Sequence, residues 1–170
     1  MQDEPMLGPE FNPPLTDEVS DQSAAECIHA LVSEEPFAVL CTQGEGQPYG
    51  SVVAFAFDQG LSSFVFATPK ATRKFRLLSH CDRVALVIDN RGKYPHDMMK
   101  VGAVTITGKA HQIEPGPQFE EWAGLLTARH PYLKSFIESP STALFRVEAI
   151  RFLHVTRFQE VRQWIPASSG

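Results

Sequence analysis

No run of apolar residues in this 170-residue chain is long enough to cross a bilayer, which excludes a helical membrane span. Basic residues do not predominate either. With 15 Lys and Arg against 20 Asp and Glu, the net charge of −5 argues against broad attraction to nucleic acid. Cysteine is scarce, and Cys27, Cys41 and Cys81 are odd in number and widely spaced. That pattern fits neither a disulfide framework nor a zinc site of CxxC pairs, so the three are expected to be buried, reduced thiols. Phosphate-cradling glycine loops, the GxGxxG fingerprint and the GxSxG elbow are all missing, and no HExxH or close pair marks a metal site among six histidines. Nucleotide hydrolysis, a Rossmann dinucleotide site and hydrolase chemistry therefore have no support. The opening MQDEPMLGPEFNPPLTDE lacks both a basic start and an apolar core, so it is not a secretory signal and a cytoplasmic location is the expectation. Its prolines and acidic residues predict a flexible arm over 1–17, with 167–170 a short tail.

What is present reads as one domain over 18–166, with an ordinary soluble composition of 43% hydrophobic and 21% charged residues. Ala24, Ala25, Ile28, Leu31 and Val32 recur at helical spacing, and Ser23 with Glu26 matches a capping box in front of them. From Phe37 the texture changes to β-branched and aromatic runs, FAVLCTQ, YGSVVAFAF and LSSFVFA, separated by the turn segments GEGQ and DQG. A short helix follows, then RVALVID, a loop through RGKYPHDMMK and the long strand VGAVTITGKAHQI. Phe119, Trp122, Ala123 and Leu126 lie on one helical face, and Pro131 interrupts to start a second short helix. TALFRVEAIRFLHVT and RFQEVRQWI close the chain as strands. Short connections between mostly sequential strands predict a mainly β architecture, an antiparallel barrel with helices packed outside.

Three cations crowd the start of the short helix in FVFATPKATRKFRLL: Lys70, Arg73 and Lys74. A helix N-terminus carries partial positive charge from its unpaired N–H groups, so cations there are mildly destabilising and an anion is welcome. A bound phosphoryl group would relieve the crowding, with Arg73 offering a planar fork of donors, Lys74 a compact charge and Thr72 a hydroxyl. On charge alone a solvated basic face fits the stretch equally well.

The order of YGSVVAFAF, FVFATPKATRKF, RVALVID and TITGKAHQI, with Gly108 and Lys109 in the last, resembles the pyridoxamine phosphate oxidase-like superfamily of FMN-binding split barrels. The resemblance covers most of residues 24 to 165. It implies a six-stranded Greek-key split barrel that forms a homodimer, with FMN in a groove at the subunit interface. Arg73 and Lys74 match the pair that holds the FMN phosphate in that family, and Thr72 the hydroxyl position before them. Ala67 and Thr68 match the pair that meets the flavin and its ribityl chain. The backbone of Ser51, Val52 and Val53 corresponds to the strand beside the ring. Lys70 lies between these matches, and its contact with phosphate is inferred from charge alone.

The departures are as informative. Ser51 and Ala56 stand where oxidases of pyridoxamine phosphate carry an Arg and a substrate-binding Lys, Ala103 falls near a flavin-contacting Gln, and the chain ends WIPASSG rather than with Arg-Leu-Ala-Pro. The expectation is thus an FMN-dependent oxidoreductase that is not a true pyridoxamine phosphate oxidase. A flavin module without turnover and a haem-binding or haem-degrading barrel are the alternatives, with His111 and His154 the strand histidines to consider. His29, His80 and His96 read as structural. Trp164 is expected in the core or at an interface, with a cover over the flavin as its other possible place. No residue is assigned as general acid or base.

Overall fold

Period-two burial drives the architecture: β1 (Phe37–Gly44), β4 (Arg83–Asp89) and β5 (Ala103–Ile113) each alternate buried and half-buried side chains along their length. The computed structural model describes residues 21–156 and 160–166, so the expected arm over 1–17 and the tail 167–170 lie outside the described residues. Helix α1 (Asp21–Glu34) precedes β1, β2 (Gln47–Phe57) and β3 (Ser63–Pro69); α2 (Arg73–His80) leads to β4 and β5. Helices α3 (Pro117–Arg129) and α4 (Lys134–Ile137) then precede β6 (Thr142–Thr156) and β7 (Glu160–Trp164). Every pairing is antiparallel, in the order β3-β2-β1-β4-β5-β6, and β3 also pairs with β6. Six strands therefore close a barrel whose first four stand in Greek-key order, as expected, and β7 adds to the far half of β6.

Local chemistry sets the turns. Between β1 and β2, Glu45 and Gly46 both adopt positive φ, 53° and 79°, the two left-handed positions of a tight hairpin turn whose twist suits the strands. At Gly108 the β5–β6 register shifts by one residue, leaving Ile150 of β6 unpaired. A Cβ at Gly108 would stand 2.3 Å from the Glu148 carbonyl oxygen, so only glycine permits this close approach. The bulge bends β6, allowing its first half to pair with β3 and its second with β7.

Two apolar clusters result. Phe55, Phe64, Phe66, Leu86, Ile106 and Phe152 fill the barrel together with Ile28 and Val32 of α1. Outside it, Trp122, Ala123 and Leu126 of α3 and Ile137 of α4 cover Ala56, Val65 and Leu144. Trp164 packs on Phe152 with ring centroids 4.9 Å apart, an aromatic core contact.

Two expectations are corrected. Cys27 is exposed and Cys41 and Cys81 are only half-buried, because Cys27 falls on the flank of the α1 stripe and Cys41 on the outer face of β1. Ser23 lies within α1, which begins at Asp21, so it is not the N-cap.

Candidate cofactor site

The site begins where two strands part. β2 and β3 pair only at Phe55–Phe57 with Phe64–Phe66. Beyond Phe55, residues 47–54 of β2 turn to β1, whereas Ala67–Pro69 of β3 stay with β6. The strand edges carrying Ser51, Val52, Val53, Ala67 and Thr68 thus diverge, and backbone groups that a continuous ladder would pair face the opening. Val53 points into the barrel, 4% exposed, and Val52 points out, 69% exposed. The hydroxyl oxygen of Ser51 is buried without a hydrogen-bond partner among the described residues. Ala67 packs against the outer cluster, as do Phe119, Leu133 and Phe136.

From Thr68 the chain turns into α2. Thr72 is the N-cap: its Oγ1 accepts from the Phe75 N–H at 3.2 Å and donates to the Pro69 carbonyl at 2.9 Å. Thr68, fully buried, meets Thr72 through their hydroxyl oxygens, 3.1 Å apart. With the Thr72 proton directed to Pro69, the Thr68 hydroxyl donates to Thr72. These two threonines therefore shape the loop, leaving the N–H groups of Arg73 and Lys74 without intrahelical partners at the helix start. No acidic residue occupies the first turn.

The three basic residues separate in the structure. Arg73 is exposed, its guanidinium carbon 5.2 Å from the centroid of the Tyr49 ring, an interaction that fixes the plane of its donor fork. Lys74 is half-buried, and loss of hydration holds its pKa below the ordinary 10.5. No carboxylate pairs with it among the described ion pairs. A desolvated lysine in the first turn of a helix that begins with unpaired N–H groups adds positive potential there, which a phosphate would offset. Lys70 points elsewhere. Its Nζ donates to the Pro140 carbonyl at 2.9 Å and its backbone N–H to that of Ser141 at 2.8 Å, tying the loop to the segment before β6.

Sequence reasoning missed three residues. Tyr49 orients Arg73, but its place on β2 carries no signal for that contact. His130 is 3% exposed and donates Nε2–H to the Phe55 carbonyl at 2.9 Å. The β1–β2 register places Pro36, which has no N–H, opposite Phe55, so the histidine supplies the missing donor. Arg129 reaches across to the end of α1 and lies over Phe55 and Phe57.

Of the strand histidines, His154 is 4% exposed inside the barrel, its Nδ1 without a hydrogen-bond partner among the described residues, with burial and the nearby Arg162 charge pushing its pKa down. His111 is exposed on β5 and shares a cleft of about 550 Å³ with His80, Cys81 and Asp82. Among the described residues no group of three or more His, Cys, Asp or Glu could hold a metal ion, and no helix is long and apolar enough to cross a membrane.

Residues 24–156 match the family model for pyridoxamine 5'-phosphate oxidase. No curated protein sequence matches the chain. Among solved structures, a haem-binding protein from Mycobacterium smegmatis is similar at TM-score 0.76 and 18% identity, the match covering 88% of this chain and 60% of that one. The chain thus spans about three fifths of the mycobacterial protein. A protein of the pyridoxinephosphate oxidase family from Clostridium acetobutylicum, related to general stress protein 26 of Bacillus subtilis, matches at TM-score 0.65 and 16% identity, covering 86% of this chain and 96% of that one. A FAD-binding protein from Mesorhizobium loti matches at TM-score 0.62 and 16% identity, covering 76% and 90% respectively. At these identities the structural likeness is one of fold.

Proposed function

The chain belongs to the pyridoxamine 5'-phosphate oxidase family, and from that premise we propose that it is an FMN-binding oxidoreductase, cytoplasmic and homodimeric, that does not oxidise pyridoxamine phosphate. One observation carries the cofactor reading: Lys74 is desolvated, has no carboxylate partner among the described ion pairs, and sits at a helix start that has no acidic residue. An FMN phosphate would take the Arg73 and Lys74 N–H groups, the Arg73 fork and the Lys74 ammonium, while Thr72 and Thr68 hold the loop in shape. The flavin ring would lie along the diverging edges of β2 and β3, beside Ser51, Val52, Val53 and Ala67. Bound flavin supplies hydride and single-electron transfer, and the protein's part is to anchor, orient and shield it. Ser51 and Ala56 carry no charge, so a phosphorylated substrate has no ionic anchor there.

The same strands offer the dimer face. Val52, Val39, Val87, Thr105 and Leu153 stand in register across five strands, an uncharged row on the outer surface. Phe37, 50% exposed, extends it beside Ala54. Such a flat apolar row next to the strand opening suits a second copy of the chain, whose approach would shelter the ring from water.

Haem is a second reading, favoured by the cleft holding His80 and His111. His80 donates Nδ1–H to the Arg76 carbonyl at 2.7 Å, which leaves the Nε2 lone pair free to ligate, the arrangement common for metal-binding imidazoles. The structurally similar mycobacterial protein binds haem. His154, enclosed by the barrel, is not suited to that role.

An absorption spectrum decides between them. Protein titrated with FMN is expected to give the two-band spectrum of bound flavin at one flavin per chain, whereas a sharp Soret band on adding haem, with no FMN uptake, would overturn the proposal. Bleaching of the bound flavin by NADH or NADPH, and its reoxidation by an acceptor, distinguishes an enzyme from a carrier; a flavin that no donor reduces would make this a non-catalytic module.

A further inference from the structure

Arg73 owes its place above Tyr49 to the packing of two local segments, the end of the β1–β2 hairpin and the first turns of α2. Along β2, Tyr49 shares its face with Val53 and Phe55, whose side chains are buried, so its ring is turned inward and not toward the outer sheet surface. Gly44 of β1 lies on the same inward face as Ala38 and Leu40. A Cβ on Gly44 would run into the Leu77 side chain, so the glycine is what lets α2 seat on the hairpin. Leu77 follows Arg73 by one helical turn, and one face of α2 therefore meets the hairpin twice, at Gly44 through Leu77 and at Tyr49 through Arg73. The Tyr49 backbone is fixed as well: it stands opposite Thr42 in the ladder, and the buried Thr42 hydroxyl donates to its carbonyl at 3.2 Å. A ring so held offers the guanidinium its face, not its hydroxyl edge.

We infer that Tyr49 is a positioning residue for the phosphate: it holds none of the phosphate oxygens, and through Arg73 it sets how strongly the protein prefers a phosphorylated flavin to an unphosphorylated one. The inference rests on the reading that the start of α2 grips the FMN phosphate. Arg73 is exposed, and an exposed arginine without a neighbour samples many rotamers, most of which aim its fork away from the helix start. Freezing that freedom on binding weakens the complex. With one guanidinium face against Tyr49, the side chain is ordered before the ligand arrives, and the N–H donors around the edge of its plane stay available. Aromatic character is what this needs. Attraction to the ring face comes from its π electrons, whereas an aliphatic side chain in the same place leaves the fork free.

Two measurements on the full chain test it. By NMR of the free protein, the Arg73 Hε resonance should be displaced upfield by the ring in wild type and in Tyr49→Phe, and should return to its ordinary position in Tyr49→Leu. By flavin-fluorescence titration, Tyr49→Leu should weaken FMN about fivefold and leave riboflavin within about twofold, while Tyr49→Phe binds both ligands as wild type does. In an Arg73→Ala background, Tyr49→Leu should weaken FMN no further, since the two residues act as one unit. A Phe variant as impaired as Leu would give the phosphate contact to the phenol hydroxyl and overturn the inference. Unaltered FMN binding by Tyr49→Leu, equal losses of FMN and riboflavin, losses that add in the double variant, or an Arg73 resonance unmoved by Tyr49→Leu would each do the same. Failure of the underlying reading looks different: wild type itself would hold riboflavin as tightly as FMN, and both would then fall together.

Discussion

Arg129 is a clamp whose removal gives a number. One Nη2 donates to the carbonyls of Val32 at 2.7 Å, Ser33 at 3.2 Å and Glu35 at 2.7 Å, the orphan acceptors at the end of α1. Its guanidinium carbon also lies 4.8 Å and 5.0 Å from the ring centroids of Phe55 and Phe57. Burial lowers its pKa, so desolvation offsets part of the gain, and no carboxylate repays it among the described ion pairs. Hydrogen bonds to a charged donor are worth about 1.5 kcal/mol each at the low end; counting the two short ones, adding about 1 kcal/mol for the aromatic contacts and subtracting about 1 kcal/mol of relieved desolvation leaves about 3 kcal/mol. Arg129→Met keeps the apolar stem and removes the fork, so it should cost about that much in urea unfolding with unchanged m, a Tm fall of roughly 6–12 °C. Arg129→Lys retains one charge but no planar fork and should recover about half. Met within about 0.5 kcal/mol of wild type, or Lys worse than Met, would refute the clamp.

Other expectations follow from single contacts. Gly108→Ala drives a methyl to 2.3 Å from the Glu148 oxygen, so the bulge must shift; unfolding should show a loss of about 2 kcal/mol or more, and a loss below about 0.5 kcal/mol would mean that the bulge relaxes freely. His154 has a folded pKa below its ordinary 6.5, so the unfolded chain binds its proton more readily and stability falls as pH drops below 6.5, levelling off once the folded pKa is passed. The slope approaches at most about 1.4 kcal/mol per pH unit from this residue, and His154→Phe should flatten that part of the curve. Thr72→Ala removes the N-cap and should cost about 1 kcal/mol by urea unfolding; no change would show that the loop supports α2 without it.

Most of the fold was legible because its elements are defined by local periodicity. Alternating β-branched residues locate β1 to β6, and Gly44-Glu45-Gly46 marks a hairpin whatever surrounds it. The helix start proposed to hold an anion was legible for a similar reason, since Arg73 and Lys74 there are in electrostatic conflict with their own backbone. Contacts between distant segments were not. Lys70 reaches Pro140 across 70 residues, and Arg129 reaches Val32 across 97. The parting of β2 from β3 depends on which neighbour each strand chooses, and burial of Cys27 failed because a residue on the flank of a helical stripe is placed by the packing of α1, not by its type.

Comparison of FMN with riboflavin tests the central claim most directly, because the two ligands differ only in the phosphate. In wild type, FMN should bind at least about 100-fold more tightly than riboflavin by flavin-fluorescence titration. In Arg73→Ala and in Lys74→Met, FMN affinity should fall by about 1.5–3 kcal/mol each while riboflavin affinity and fold are unchanged. Equal affinities for the two ligands in wild type, or variants that weaken riboflavin as much as FMN, would place the phosphate away from α2 and contradict the account.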